Sequence, residues 1–383
     1  MMNDNKMTLM PNGDDANFYK QVADLLTAAR QHAKRQLDNT IVVTYFEVGR
    51  MIVEREQHGQ KRAQYGAKLI EGLSEYLTEH YGKGFSVVNL QSMRKFYQVY
   101  SVSIQQTPSV KFENSKSAIT IFDENKKSQT LSAQFKLNWS HYQILTRVEN
   151  EAARRFYEIE TANQQWSVRQ LQRQVGSSLY ERLALSRDKD KVMDLANKGQ
   201  TVKKPRDIFK TPYVLEFTGL EERTEYSESE LEQALIDNLQ KFLLELGKGF
   251  LFEARQKRFS FEEKSFFVDL VFYNRLLQCY VIIDLKVGGL KHQDLGQLQM
   301  YVNYFDRYVR QDFEKPTVGI IICGSKDDNI VELTLPEDSN IYASAYSLYL
   351  PDKTLLQSKL AEWIEEYEDE QEIKRLMEGG EAE

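Results

Sequence analysis

The chain changes its apolar period once, near its middle, and that switch limits the architectures open to it. Up to about Leu185 the apolar residues recur at three- and four-residue spacing, as on a buried helix face. Between Asn17 and Gly59 these are Val22, Leu25 and Leu26, then Ile41, Val42, Tyr45, Phe46, Ile52 and Val53. Between Gln64 and Tyr81 they are Leu69, Ile70, Leu73, Tyr76 and Leu77. A helix over Ser229–Leu246 is then stopped by Gly247 and Gly249. Beyond it come strand-like runs at Phe250–Phe259, Phe266–Tyr273 and Gln278–Val287. The short Asn274-Arg275-Leu276-Leu277 connection predicts a hairpin between the last two. Helix returns over Gln293–Arg310, followed by a buried strand at Pro316–Cys323 and another at Ile341–Tyr346. Helix, three strands, helix, strand predicts an α/β core with a mixed sheet, not the strict alternation of a doubly wound fold.

The 383 residues suggest two domains. The expected division is a disordered start over 1–15 and an all-helical N-terminal domain over 16–185, with a loop insertion at about 101–130. A charged linker over 186–210, an α/β domain over 211–350 and an acidic C-terminal helix and tail over 351–383 follow. Ser86 reads as the N-cap of a helix carrying Leu90, Met93, Phe96 and Tyr97. Two phrases, Trp139-Ser140 and Trp166-Ser167, read as helix starts with Trp at N′ and Ser at the cap. No run approaches the roughly 20 apolar residues of a membrane span. The opening residues lack a secretory pattern, so a cytoplasmic location and no membrane contact are expected. Cys279 and Cys323 sit in apolar runs, which argues against a disulfide framework or a cysteine zinc site. The net charge of −7 hides an asymmetry: residues 1–200 carry 28 Lys+Arg against 22 Asp+Glu, and the acidic excess lies in the remainder. An acidic chain of this kind is still compatible with a polyanionic partner.

Chemistry concentrates on two strands. Phe267-Val268-Asp269-Leu270-Val271-Phe272 carries an acid in the middle of an apolar strand, a costly placement unless that acid is paired or coordinates something. The following strand, Tyr280 to Val287, contains Asp284-Leu285-Lys286. Asp284 and Lys286 share a face about 6.6 Å apart, and Asp269 reaches the same spot if register allows. Two carboxylates and a backbone carbonyl on one sheet rim suit Mg²⁺ or Mn²⁺, with Lys286 beside a nucleophilic water. A structural Asp–Lys pair is the alternative.

Asp269, then Asp284-Leu285-Lys286, with a helix on either side, resembles the PD-(D/E)XK nuclease core. The wider wording resembles the bacterial YhcG-type proteins, in which a helical N-terminal domain of uncharacterised function precedes such a nuclease domain. The matching stretches are Tyr45–Arg50, Gly82–Ser86 with Asn89-Leu90, Trp166–Arg169, Phe242–Gly247, Asp269–Tyr273 and Gly296–Leu298. The resemblance implies a restriction-endonuclease-like fold acting on DNA with Mg²⁺, which Mn²⁺ could replace. Asp269, Asp284 and the Leu285 carbonyl would be metal ligands, and Lys286 the catalytic lysine. It also implies a Glu from the first helix. Glu232 lies about 60° from the centre of the apolar face and Glu230 about 140° away, though Ser229-x-x-Glu232 also fits a capping box. Gln297 matches a position that contacts substrate or metal-bound water, and Gln256 would line the rim. Asp284 stands where many relatives have Glu, and Val268 replaces the motif proline.

In the N-terminal half, the helix after Ser86 places Asn89, Gln91, Arg94 and Lys95 on polar positions after a glycine break, an arrangement with helix-turn-helix character. Arg147, Arg169 and Arg173 are candidate phosphate contacts. An ordinary solvated helix face is the competing reading. The leading expectation is a metal-dependent deoxyribonuclease whose helical domain binds DNA or a partner. The rival is a catalytically silent nuclease-fold module that binds DNA or protein in a defence or mobile-element complex. Self-association, or a protein partner held by the N-terminal domain or acidic helix, is compatible with either.

Overall fold

The computed structural model describes residues 13–58, 63–105, 135–186, 192–221, 226–261, 264–336, 339–350 and 352–362. Two compact units divide between Glu149 and Asn150.

The first unit is helical. Its elements are α1 (Gly13–His58), α2 (Ala63–Tyr81), α3 (Val87–Gln105) and α4 (Trp139–Leu145). Ile52, Ile70, Leu90 and Met93 form a buried cluster, with Tyr45, Leu73, Leu77 and Trp139 packed on it. Gly49 lets α1 approach α3, since a Cβ there would run into the Met93 carbonyl. Ser86 caps α3 as expected, its hydroxyl accepting from the Asn89 amide at 3.4 Å.

The second unit begins with α5 (Glu151–Gln164), α6 (Val168–Gly176), α7 (Leu179–Leu185) and α8 (Val192–Lys198). The sheet-bearing core adds β1 (Tyr213–Val214), α9 (Glu228–Asp237), α10 (Leu239–Leu246), β2 (Phe250–Phe261), β3 (Lys264–Asn274) and β4 (Cys279–Gly289). It closes with α11 (His292–Tyr304), β5 (Val318–Ser325), α12 (Asp328–Thr334) and β6 (Ile341–Ser347). The sheet order is β1-β6-β5-β4-β3-β2. Strands β2, β3 and β4 are antiparallel neighbours, whereas β5 and β6 run parallel to β4 and to each other. The sheet is therefore mixed, and both faces are covered. Leu231, Leu235, Phe242 and Leu246 of α9 and α10 pack with Leu270, Phe272, Val281 and Ile283 on one side. Leu295, Leu298, Tyr301 and Val302 of α11 pack with Ile282, Ile321 and Cys323 on the other.

A charged knot is sealed inside this unit. Arg182 and Glu245 are both fully buried, with Nη1 donating to Oε1 at 2.5 Å. Arg182 also donates to the Ser177 and Pro212 carbonyls at 2.8 and 2.9 Å. The Val214 amide and Arg173 supply further donors to Glu245. A carboxylate so enclosed is tolerable only with this density of donors.

Several expectations change. The stretch between Asn17 and Gly59 is one continuous helix that starts at Gly13, inside the segment expected to be disordered; residues 1–12 lie outside the described residues. Most of the 101–130 insertion also lies outside them, but α3 itself continues to Gln105. Asn138, not Ser140, caps α4, its side chain accepting from the His141 amide, whereas Ser167 forms a full capping box with Gln170. The charged 186–210 stretch contains α8, which buries Val192, Leu195 and Ala196. The predicted helix over Ser229–Leu246 is two helices broken at Asn238. Helix α11 gives way to a π-helical turn over Phe305–Val309, where a single helix was expected to Arg310. The acidic C-terminal helix is seen over 353–362; residues 363–383 lie outside the described residues.

Candidate active site

Strands β3 and β4 pair from Asn274↔Cys279 to Leu270↔Ile283, and there the ladder stops. The next opposed positions are Asp269 and Asp284. The strands part at the two acids because the Asp269 side chain takes over a backbone role: Oδ2 accepts the Leu285 amide at 2.9 Å. Strand alternation puts Lys286 beside Asp284, with Nζ 2.9 Å from Oδ2. That oxygen is buried and accepts no hydrogen bond of proper geometry, so the contact is an ion pair only. Glu228, half exposed on α9, lies 3.7 Å from the same ammonium.

Electrostatics follow from this crowding. Burial and the neighbouring Asp269 charge push the Asp284 carboxyl up to about 7, against the opposing pull of Lys286. Burial also raises Asp269, while the Leu285 amide and Lys286 hold it down. Burial would lower Lys286, but Asp284, Glu228 and Asp269 together raise it, so it stays an ammonium.

Side chains from β2 and α9 brace Asp269. Gln256 Nε2 donates to Asp269 Oδ1 at 3.1 Å and also to Glu232 Oε2. Glu232 Oε1 takes the Arg255 guanidinium. Gln256 holds a left-handed φ of 47° in the middle of β2. That conformation is uncommon for a non-glycine residue and is stored where a side chain must be re-aimed. Glu232 is only 3% exposed, in keeping with its expected place near the apolar face. The capping box uses Ser227 and Glu230 rather than Ser229 and Glu232. Glu232 is therefore free of the cap and turned to the sheet.

The acids fit a hard divalent cation. Asp284 Oδ2 is a sequestered oxygen without a hydrogen bond, and Asp269 and the Leu285 carbonyl lie on the same rim. Mg²⁺ commonly takes one or two protein carboxylates and completes its shell with water and phosphate. Among the described residues, no three His, Cys, Asp or Glu side chains converge on a single metal position.

The remaining candidates are dispersed. Gln297 is exposed on α11 and donates to the Tyr301 hydroxyl. Asp294 caps α11 by accepting the Lys291 amide at 2.9 Å. In the first unit, Asn89 is committed internally: Oδ1 accepts from Trp139 Nε1 and Gln143 Nε2, both at 3.0 Å. Arg94 pairs with Glu56 at 2.9 Å. Gln91 and Lys95 are exposed, as is Arg169 in the second unit. Arg173 is clamped by Glu216, Glu245 and the Val214 carbonyl, so the candidate phosphate contact is a structural cation. Sequence reasoning missed Arg255 and Glu228. Glu228 was within reach, because it precedes Glu232 by four residues and so shares its helical face. Arg255 carries no local signal: its role exists only once β2 lies under α9.

This mixed sheet, with a D…D-x-K constellation at the fork of two strands, defines a domain of the PD-(D/E)XK nuclease class. Residues 206–361 match the YhcG PDDEXK nuclease domain, and residues 21–182 match the DUF1016 N-terminal domain. The chain is 40% identical over 362 residues to the protein named "Putative nuclease YhcG" of Escherichia coli (strain K12), covering 89% of this chain and 93% of that one. The chain belongs to the YhcG family. Among solved structures, a repair endonuclease from Pyrococcus abyssi is 19% identical, covering 34% of this chain and 50% of that one at a TM-score of 0.24. EndoMS in its apo form is 18% identical, covering 34% and 49% at a TM-score of 0.23. At these scores neither likeness bears on the chemistry. No described helix is long and apolar enough to cross a membrane.

Proposed function

We propose that the chain hydrolyses DNA phosphodiester bonds with Mg²⁺, or Mn²⁺ in its place, held by Asp269, Asp284 and the Leu285 carbonyl. The observation that carries this reading is Asp284 Oδ2, buried, lacking a hydrogen bond and 2.9 Å from Lys286. Two adjacent carboxylates and a lysine are costly to bury unless a cation and an anion are both expected there. A bound divalent ion polarises the phosphoryl group and lowers the pKa of water. Lys286, kept charged by the acids around it, turns from Asp284 to the attacked phosphate and stabilises its developing negative charge. Glu232, Arg255 and Gln256 position Asp269. Gln297 lies on the helix that follows β4, where an amide reaches substrate. The helical N-terminal domain contacts DNA through exposed residues such as Gln91 and Lys95, or else binds a partner.

The test is cleavage of supercoiled, linear, branched and single-stranded DNA with Mg²⁺ or Mn²⁺, comparing wild type with Lys286→Ala. Cleavage by wild type alone supports the reading, and equal cleavage by both proteins removes it. The competing reading is a nuclease-fold module that binds DNA without cutting. DNA binding without cleavage, together with weak Mg²⁺ binding by calorimetry, would support that reading instead.

A further inference from the structure

A cleft of about 330 Å³ lies between the β2–β3 hairpin and α11 with the π-helical turn that follows it. Its walls are aromatic, and the rings form a series. Phe266 stacks on Phe259 at 5.4 Å and 24°, and Phe259 stacks on Tyr304 at 3.9 Å and 20°. Tyr304 leads on to Tyr308 at 5.2 Å, and Phe261 lies 6.4 Å from Tyr308. The inner end is buried, whereas the outer end is open: Tyr308 is 62% exposed, Phe261 48% and Met300 37%. Leaving three large apolar side chains this exposed at the mouth of one cleft costs solvation that an occupant would recover.

The polar groups narrow the choice of occupant. Gln299 Nε2 donates to Asn303 Oδ1 at 3.1 Å, which leaves Gln299 Oε1 and Asn303 Nδ2 as an acceptor and a donor on the cleft wall. Arg307 lines the rim. Flat rings, an acceptor–donor amide pair and one guanidinium match a nucleobase face, a base edge and a phosphate respectively. Buried Tyr301 stands between the cleft and the acid site, within electrostatic reach of Asp284, Asp269 and Lys286. Tyr301 packs edge-on against Phe259 at 5.6 Å and 90°, while its hydroxyl accepts from Gln297.

We propose that this cleft holds an unpaired nucleobase of the DNA strand presented to Asp269, Asp284 and Lys286, stacked against Tyr308 and Phe261. The inference rests on the nuclease reading and deepens it, because the preferred substrate then carries an unstacked nucleotide beside the cleaved bond. A base inside a duplex cannot enter the cleft without leaving its stack, so blunt duplex forgoes this contact.

The experiment uses the full chain and oligonucleotides carrying 2-aminopurine, titrated in EDTA so that binding is read apart from cleavage. Three proteins are compared: wild type, the Phe261→Ala/Tyr308→Ala double variant, and Asn303→Ala. Stacking predicts that single-stranded probe fluorescence is quenched on binding to wild type. It also predicts that the double variant binds the single strand about 10- to 100-fold more weakly while blunt duplex affinity is unchanged. Asn303→Ala should alter the preference among bases more than overall affinity. Unchanged single-strand binding, equal losses on single strand and duplex, or no binding by wild type would each overturn the proposal. Loss of self-association with nucleic-acid binding intact would also overturn it, by assigning the cleft to a second copy. Cleavage in Mg²⁺ separates the two readings. Equal cutting of blunt duplex and single strands by wild type and double variant removes the stacking site and keeps the nuclease. Selective loss of single-strand binding without any cleavage does the reverse.

Discussion

The Lys286 ammonium lies 2.9 Å from Asp284 Oδ2, yet that buried oxygen accepts no hydrogen bond of proper geometry. The pair is a close charge contact whose members are each left able to take another partner. Lys286→Ala is expected to lower single-turnover cleavage by about 10²-fold or more, the range for removing one donor to developing charge. Lys286→Arg should not restore it, because a planar fork cannot replace a compact ammonium. Single-turnover assays beside thermal melts check both, and melts should show that each variant is folded.

Asp269 and Asp284 at the strand fork predict a divalent-ion site. Isothermal titration with Mg²⁺ or Mn²⁺ should give weaker binding for Asp269→Asn and for Asp284→Asn, by at least the tenfold typical of disturbing a supporting residue. Asp269→Asn keeps an oxygen for the Leu285 amide, so its melting temperature should change little. Identical titrations for all three proteins would remove the ion from this rim.

Gln256 separates strain from function. Gln256→Gly accepts the φ of 47° without steric penalty, whereas Gln256→Ala keeps the strain and loses the amide. Glycine is expected to be the more stable of the two variants by about 1 kcal/mol. Both should cut more slowly than wild type, since neither can brace Asp269 against Glu232. Urea melts and cleavage rates together decide it, and equal activity in all three would make Gln256 irrelevant to positioning.

The buried Arg182–Glu245 pair predicts acid sensitivity. Its neighbouring cations hold the Glu245 carboxyl near 2 although burial alone would raise it, against an ordinary value of 4.5. A folded-state pKa below the unfolded one gives stability that is complete above about pH 4.5 and is lost as pH falls toward 2. Glu245→Gln leaves Arg182 short of a counter-charge and is expected to cost about 3–5 kcal/mol near neutral pH. Its urea midpoint should also fall less steeply than wild type between pH 4.5 and 2.5.

Asn89 and Lys95 stand on one helix but should behave differently. Asn89→Ala strands the Trp139 and Gln143 donors and is expected to destabilise the helical unit by about 1–3 kcal/mol. Lys95→Ala should leave stability unchanged and, if α3 contacts phosphate, reduce the salt dependence of DNA binding. Melts and salt titrations of the two variants distinguish a packing residue from a contact residue.

Much of this molecule was legible in its linear order. The strands containing Asp269 and Asp284, the hairpin through Asn274–Leu277 and the helix stop at Gly247 all follow from short-range alternation, turn chemistry and backbone freedom. These signals act within a few residues, so they survive in the sequence. Glu232 was likewise readable as an acid near an apolar helix face, even though its supposed cap belongs to Ser227 and Glu230. What the sequence could not state was which polar groups would meet. Arg173 reads as a surface cation but lies between Glu216 and Glu245, and Asn89 reads as a base-reading amide but is held by Trp139. The Glu228 carboxylate beside Lys286, the bracing of Asp269 through Gln256 and the row of rings from Phe266 to Tyr308 join residues from separate elements. Their partners are set by strand register and helix docking, which depend on the packing of the whole core rather than on any local run of residues.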